Sequence, residues 1–140
     1  MKAGLVFAFA LMWISSAVQA APYRYQTTEK VVVVGDSHGA FDSYSALLAE
    51  AGLIDEQQKW SGGKANLVSL GDFLDRGADS RKIMDLLMRL QTEAAKSGGK
   101  VHVLLGNHEL MNLTGDLRNV SPQEFLSYQD MEDPKERLAV

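Results

Sequence analysis

The sequence has 140 residues, of which 46% are hydrophobic and 23% charged, and these fractions exclude a disordered, collagenous or coiled-coil protein. The net charge of -4 at pH 7 disfavours a nucleic-acid-binding protein, because such proteins usually carry a basic excess that neutralises phosphates. The sequence contains no cysteine, which excludes disulfides, a thiolate nucleophile and a cysteine-based zinc site.

Residues 1–20 are predicted to be a signal peptide. The apolar run over residues 3–14 would rise only about 18 Å as a helix, less than the roughly 30 Å of a bilayer core. Val18 and Ala20 stand at the -3 and -1 positions of a cleavage site. Alternatives are a short uncleaved anchor and a buried helix of the mature domain. We expect a periplasmic or secreted protein with no stable membrane anchor after cleavage, in which residues 21–140 belong to a single domain.

The rest of the sequence alternates predicted strands with predicted helices. Strands are predicted at residues 30–34, 65–70 and 100–105, and helices at residues 41–51, 83–94 and 122–128. The valines of the first strand and the apolar third strand are typical of strands buried on both faces. Ser121 and Glu124 predict a capping box around Pro122, at the first position of the last helix. The order β-α-β-α-β predicts an α/β fold with a largely parallel sheet covered by helices.

Each predicted strand runs directly into a polar motif. The motifs are G-D-S-H-G at residues 35–39, G-D-F-L-D-R-G at 71–77 and G-N-H-E at 106–109. Because the carboxyl ends of parallel strands form one edge of a sheet, we expect the three loops to meet there. They would bring together a set of polar side chains, namely Asp36, His38, Asp72, Asp75, Arg76, Asn107 and His108.

These residue types predict a metal and phosphate site. Asp36 and His38 can hold one divalent ion, and an aspartate on the next strand can bridge to a second ion about 3.5–4 Å away. Arg76 offers a planar guanidinium that matches a phosphate. Taken singly, each motif could be a simple turn or helix cap, and Arg76 could pair with Asp75 or Asp79 at the surface. Three such loops at consecutive strand ends favour a shared site.

The three motifs, in this order, resemble the signature blocks of the calcineurin-like metallophosphoesterases. The D-R-G and N-H-E segments resemble the phosphoprotein phosphatase branch, and residues 110–118 are similar to the Shewanella-like protein phosphatases. The resemblance covers residues 30–120. It implies the N-terminal half of an α-β-β-α sandwich and an enzyme with two divalent metal ions, with manganese expected first and iron or zinc as alternatives.

The resemblance also implies metal ligands. Asp36 and His38 would hold the first ion, and Asp72 would bridge both ions. Asn107 would bind the second ion and contact the substrate phosphate.

The remaining roles concern catalysis. Arg76 would clamp phosphate oxygens, His108 would protonate the leaving-group oxygen, and Asp75 would orient His108. The resemblance implies in-line attack on phosphorus by a metal-bridging hydroxide, without a phosphoenzyme. Arg118, in the segment shared with the Shewanella-like group, is expected to add a phosphate contact.

The sequence departs from the family pattern in its histidines. In the family, two histidines from later motifs complete the second metal site and a further arginine binds phosphate. This sequence contains only His38, His102 and His108. Either the sequence is the N-terminal part of a domain truncated at its C-terminus, which we expect, or the second site is half-built.

The expected function is therefore hydrolysis of phosphomonoesters by a dinuclear metallophosphatase. The expected substrate is a phosphorylated protein or a small phosphomonoester, and no nucleic acid binding is expected. One alternative is a nucleotide or dinucleoside polyphosphate hydrolase, and another is a non-catalytic metal-binding fragment. The sequence makes no prediction of oligomeric state.

Overall fold

The structure is a computed structural model that describes residues 24–131, so the predicted signal peptide lies outside the described residues. The elements in chain order are β1 (Val31–Val34), α1 (Phe41–Glu50), β2 (Asn66–Ser69), α2 (Ser80–Lys96), β3 (Lys100–Val103), α3 (Asn107–Leu113), α4 (Pro122–Ser127) and a 3₁₀ helix (Gln129–Met131). The strands form one parallel sheet in the order β1-β2-β3. The predicted α/β class and β-α-β-α-β order are confirmed. Between residues 24 and 131, none of the helices combines the length and the apolar character needed to span a bilayer.

Helix α2 supplies much of the core that supports the sheet. Its apolar side chains recur at helical spacing, and the stripe Ile83, Leu86, Leu87, Leu90 and Ala94 is buried. The stripe packs with Leu48 of α1 and Leu67 of β2, both fully buried. Burying each such leucine or isoleucine contributes about 1.5–3 kcal/mol relative to exposure. The core therefore lies between the sheet and the helices α1 and α2.

The prediction that the outer strands are buried on both faces is wrong for the described residues. Val31 and Val33 of β1 are 49% and 56% exposed, and Leu105, which follows β3, is 65% exposed. Successive side chains of a strand point to opposite faces, and the helices that connect the strands cover only one face. An apolar run in the sequence indicates that both faces of a strand are apolar. It does not indicate whether other segments within residues 24–131 cover both faces.

The capping box predicted for α4 is formed only in part. Ser121 Oγ accepts a hydrogen bond from the backbone N–H of Glu124 at 3.1 Å, and Pro122 is the first helical residue, as predicted. The Glu124 carboxylate, however, accepts from the backbone N–H of Asp75. The Glu124 carboxylate therefore binds the distant loop that contains Asp75, whereas the local pattern predicted that it would bind the N-terminus of α4.

The strand register sets the position of the three polar motifs. Val34 pairs with Ser69, and Ser69 pairs with Val103, so the three strands end at the same level. The loops that follow consequently leave the sheet side by side at its carboxyl edge.

Candidate active site

Backbone hydrogen bonds join the loops that follow β1 and β2. The N–H of His38 donates to the carbonyl of Asp72 at 2.9 Å, and the N–H of Gly39 donates to the carbonyl of Phe73 at 3.0 Å. The third loop joins them through the backbone N–H of His108, which donates to Asp72 Oδ1 at 3.0 Å. The expectation that the three loops meet at one edge is therefore fulfilled in the structure.

Asp36, His38 and Asp72 form a group with the geometry of a metal site. Each offers one ligand atom, and these atoms all lie within 4.8 Å of one another. His38 Nδ1 lies 2.9 Å from the carbonyl oxygen of Leu74, so Nδ1 carries the proton and Nε2 is free to bind an ion. Two carboxylates and a neutral imidazole suit divalent manganese, iron or zinc. The residues present therefore fit the ion that the resemblance implies.

Asn107 directly precedes a residue that contacts this group. It is the first residue of α3 and is exposed, and the residue after it, His108, makes the direct backbone contact with Asp72. The exposed amide at this helix start is available to a ligand. A role for Asn107 at a second ion stays a prediction.

His108 and Asp75 form a buried pair. His108 Nδ1 lies 2.6 Å from Asp75 Oδ2, and the two side chains are 5% and 0% exposed. Asn112 Nδ2 donates to the other carboxylate oxygen, Asp75 Oδ1, at 2.9 Å. Both oxygens of Asp75 thus have donors, and the imidazole is held in the tautomer that carries its proton on Nδ1.

The outer nitrogen of His108 faces Arg76, and the His108 ring contacts one of the metal-binding side chains. Arg76 Nη2 lies 3.1 Å from His108 Nε2, and because a guanidinium can only donate, Nε2 accepts this hydrogen bond. The rings of His108 and His38 meet edge to face with their centroids 4.6 Å apart. The candidate proton donor, the candidate phosphate clamp and the candidate metal ligands therefore share one neighbourhood.

The backbone is strained at these same residues. Six non-glycine residues in the described range have a positive φ, and five of them are candidate site residues: Asp36 (35°), His38 (41°), Asp72 (52°), Asp75 (68°) and Arg76 (66°). This conformation costs about 1–2 kcal/mol per residue. Such strain persists only where surrounding contacts hold it, and it is concentrated here at the site.

Two glycines allow the loops to approach each other. A Cβ on Gly106 would lie 2.2 Å from Asp72 Oδ1, and a Cβ on Gly77 would lie 2.2 Å from the carbonyl oxygen of His38. Any other residue at either position would force the loops apart. These glycines therefore determine how closely the third motif approaches Asp72 and how closely the second approaches His38.

The carboxylate of Glu109 holds two of the loops together. Glu109 is a buried residue, at 3% exposure. It accepts hydrogen bonds from four backbone N–H groups, those of Asp72 (2.6 Å), Gly106 (2.7 Å), Phe73 (3.0 Å) and Leu74 (3.1 Å). Sequence reasoning assigned no role to Glu109. Its position three residues after Gly106 is the one visible signal, because that spacing is typical of a capping box.

Arg118 contacts its own neighbour. Its guanidinium donates to both carboxylate oxygens of Asp116, at 2.6 to 3.1 Å, and the Arg118 side chain is 76% exposed. The hydrogen bond from Arg118 lowers the pKa of the Asp116 carboxyl below its usual value. The structure describes no contact between Arg118 and the other candidate site residues, so its role in phosphate binding stays a prediction.

Residues 29–137 match the family model described as calcineurin-like phosphoesterase, and the chain belongs to this family. It is 40% identical to Shewanella-like protein phosphatase 2 of Arabidopsis thaliana over 76% of this chain and 27% of that protein. It is 39% identical to Shewanella-like protein phosphatase 1 of Plasmodium berghei over 69% of this chain and 26% of that protein.

A solved structure shows the same fold. The chain superposes on a cold-active protein-tyrosine phosphatase of a psychrophilic Shewanella species with a TM-score of 0.74 and 35% identity, covering 86% of this chain and 36% of that one. The chain thus spans about a quarter of the length of the curated relatives named above.

Proposed function

We propose that the protein is a metal-dependent phosphatase of the phosphoprotein phosphatase type that hydrolyses phosphomonoesters. One observation carries the proposal: a group of metal-binding side chains, Asp36, His38 and Asp72, lies beside a buried His108–Asp75 pair. A metal group alone would suit a binding protein, and a histidine–aspartate pair alone would suit many hydrolases. Their proximity, together with Arg76, is what phosphoryl transfer to water requires.

The proposed metal ligands combine the donors at the sheet edge with the roles that the family resemblance implies. Asp36 and His38 would hold one divalent ion, Asp72 would contribute its carboxylate to both ions, and Asn107 would bind the second ion and the phosphate. The ions are proposed to be manganese, with iron or zinc as alternatives. A bound divalent ion supplies Lewis-acid activation of water and of the phosphoryl group.

The other proposed roles concern charge and protons. Arg76 donates hydrogen bonds to the phosphate oxygens and orients the phosphoryl group for in-line attack. His108, when protonated at Nε2, gives that proton to the leaving-group oxygen as the ester bond breaks. Asp75 accepts from Nδ1 throughout, which keeps the imidazole oriented and stabilises its protonated form.

A hydrolysis assay tests the proposal. The protein is stripped of metal and incubated with manganese, iron or zinc and with an aryl phosphate, phosphotyrosine and phosphoserine peptides, and a dinucleoside polyphosphate. We expect metal-dependent release of phosphate from the monoesters that is lost in Asp72→Asn. Absence of turnover with every metal would overturn the enzymatic proposal in favour of a non-catalytic metal-binding protein, and preference for the dinucleotide would indicate the nucleotide hydrolase.

We further propose export to the periplasm or the medium, supported by the apolar run at residues 3–14 and the small side chains before Ala21. Mass spectrometry of the protein recovered from a Gram-negative host tests this proposal. The expected result is a mature chain that begins at Ala21 in the periplasmic fraction. An intact N-terminus in the cytoplasmic fraction would contradict it.

A further inference from the structure

The segment 119–124 holds the backbone of the Asp75–Arg76–Gly77 turn. The backbone N–H of Asp75 donates to both carboxylate oxygens of Glu124, at 3.1 and 3.3 Å. The N–H of Arg76 donates to the carbonyl of Asn119 at 2.9 Å, and Ser121 Oγ donates to the carbonyl of Gly77 at 2.8 Å. Three successive residues of the turn are therefore each tied to one short segment that lies outside the signature motifs.

Two of the three residues that these hydrogen bonds hold have a strained backbone conformation. Asp75 and Arg76 are consecutive non-glycine residues with φ of 68° and 66°. Such a pair relaxes towards ordinary backbone conformations unless other contacts hold it. Relaxation would redirect both side chains, because the direction of each Cα–Cβ bond follows its own φ and ψ.

Those two side chains are the ones that contact His108. Asp75 Oδ2 meets Nδ1 at 2.6 Å, and Arg76 Nη2 meets Nε2 at 3.1 Å. A change in the turn backbone would therefore alter the hydrogen bonds at both ring nitrogens. The effect would be on orientation, since Glu124 contacts neither ring nitrogen.

Glu124 differs from a surface helix residue in two ways. The residue is 3% exposed, and its carboxylate does not accept from the N–H of Ser121, which a capping box would require. A buried carboxylate without adequate donors is unfavourable, so the N–H of Asp75 and Glu124 stabilise each other. The bond also spans 49 residues of sequence, so it is tertiary in origin.

We propose that Glu124 is a positioning residue for the His108–Asp75 pair and Arg76. It acts by fixing the left-handed backbone of Asp75 from α4. This inference rests on the proposed phosphatase function for its kinetic consequence, but its structural part is independent of any activity.

The test compares three substitutions on one helix. Glu124→Ala removes the acceptor, Glu124→Gln keeps an oxygen that can accept from Asp75, and Gln123→Ala alters the exposed neighbouring residue as a control. We expect Glu124→Ala to lower kcat by about 10- to 100-fold with KM little changed. Glu124→Gln should retain most of the wild-type kcat, and Gln123→Ala should have the same kcat as the wild type.

A spectroscopic signature provides a readout that does not depend on activity. The buried Nδ1–H of His108, bonded to a carboxylate, should give a protected, strongly downfield ring-proton signal in histidine-labelled protein, identified by its loss in His108→Gln. We expect this signal to shift or broaden in Glu124→Ala and to persist in Glu124→Gln. A change in melting temperature with kcat and the ring proton both unchanged would overturn the proposal, because that result indicates a purely structural role.

The outcomes separate the two proposals. Wild-type protein without phosphatase activity under any metal condition would overturn the proposed function, while the His108 ring proton would still test the effect of Glu124. If Glu124→Ala does not fold, Glu124→Asp replaces it, since its carboxylate is shorter by one methylene and falls short of the Asp75 N–H. Wild-type kcat and an unshifted ring proton in Glu124→Asp would then overturn the proposal.

Discussion

Asp75 presents both of its carboxylate oxygens to donors on α3: Oδ2 lies 2.6 Å from Nδ1 of His108, and Oδ1 accepts from Asn112 at 2.9 Å. His108 and Asn112 are four residues apart, so they lie on the same face of the helix. One helix therefore supplies the imidazole and also holds the carboxylate that orients it.

We expect Asp75→Asn to lower kcat by about 10²- to 10⁴-fold while KM changes little. An amide at this position can turn its NH₂ group towards Nδ1 and donate a hydrogen bond to it. Nδ1 must then be unprotonated, so the ring is held in the neutral tautomer that carries its single proton on Nε2. The imidazolium then loses its counter-charge, and proton donation becomes less favourable. Steady-state kinetics with an alkyl phosphate measure the loss.

The leaving group provides the control for that substitution. An aryl phosphate with an acidic phenol needs little protonation, so its hydrolysis should be much less sensitive to Asp75→Asn than hydrolysis of the alkyl ester. Equal losses on both substrates would contradict a role of the pair in protonating the leaving group.

Divalent metal should stabilise the folded protein through Asp36, His38 and Asp72. Because an ion that binds only the folded state shifts the unfolding equilibrium by mass action, the melting temperature should rise with manganese concentration. His38→Gln should reduce this rise and weaken the affinity measured by calorimetry. His102→Gln, a histidine on β3 outside the metal group, is the matched control and should retain the wild-type response.

Glu109→Ala should lower the free energy of unfolding by about 3 kcal/mol or more, because the N–H groups of Asp72, Phe73, Leu74 and Gly106 lose their acceptor. Urea denaturation measures the change. Glu56→Ala, at an exposed glutamate, should be nearly neutral. A loss no larger than that of the control would mean that these donors find other acceptors at little cost.

Gly77→Ala should destabilise the protein and weaken metal binding together. The added Cβ would lie 2.2 Å from the carbonyl oxygen of His38, so the first and second loops must separate. Gly35→Ala is the matched control, since its Cβ would meet only Leu70 at ordinary distances of 3.8 and 3.9 Å. Thermal melts with and without manganese should show a loss for Gly77→Ala and little change for Gly35→Ala.

Glu93 should make the stability of the protein dependent on acid pH. The backbone N–H of Trp60 donates to its carboxylate at 2.8 Å, and this hydrogen bond lowers the pKa of Glu93 in the folded state. The stabilisation is thus present above the unfolded-state pKa and is lost as the pH falls through the lower folded-state pKa. Urea titrations across the acid range should show a smaller decline for Glu93→Gln, and an identical decline would contradict this contribution.

The motif loops could be predicted from the sequence because their signals are local. In a parallel sheet, a Gly–Asp pair that directly follows a strand lies at the carboxyl edge of the sheet. Asp36 and Asp72 both lie there. The stripe of α2 was equally visible, since periodicity reports a buried helix face directly. These features depend on residues within a few positions of each other.

The remaining features depend on contacts between distant segments. Val33 looks like a core residue in sequence, but its exposure depends on what covers that side of the sheet, which its neighbours in the chain do not encode. Glu124 carries a local signal for a helix cap, yet its partner Asp75 lies 49 residues away. Local patterns identified the groups that can do chemistry, and tertiary contacts determine which groups hold them.

The left-handed backbone at Asp36, Asp72 and Asp75 has a practical consequence for mutagenesis. Alanine at these positions removes a functional group and also resists the local conformation, so it confounds two effects. Asparagine tolerates positive φ at least as well as aspartate and differs from it mainly in charge. Variant libraries that restrict these positions to aspartate, asparagine and glycine would therefore separate the chemistry of the site from the shape of its backbone.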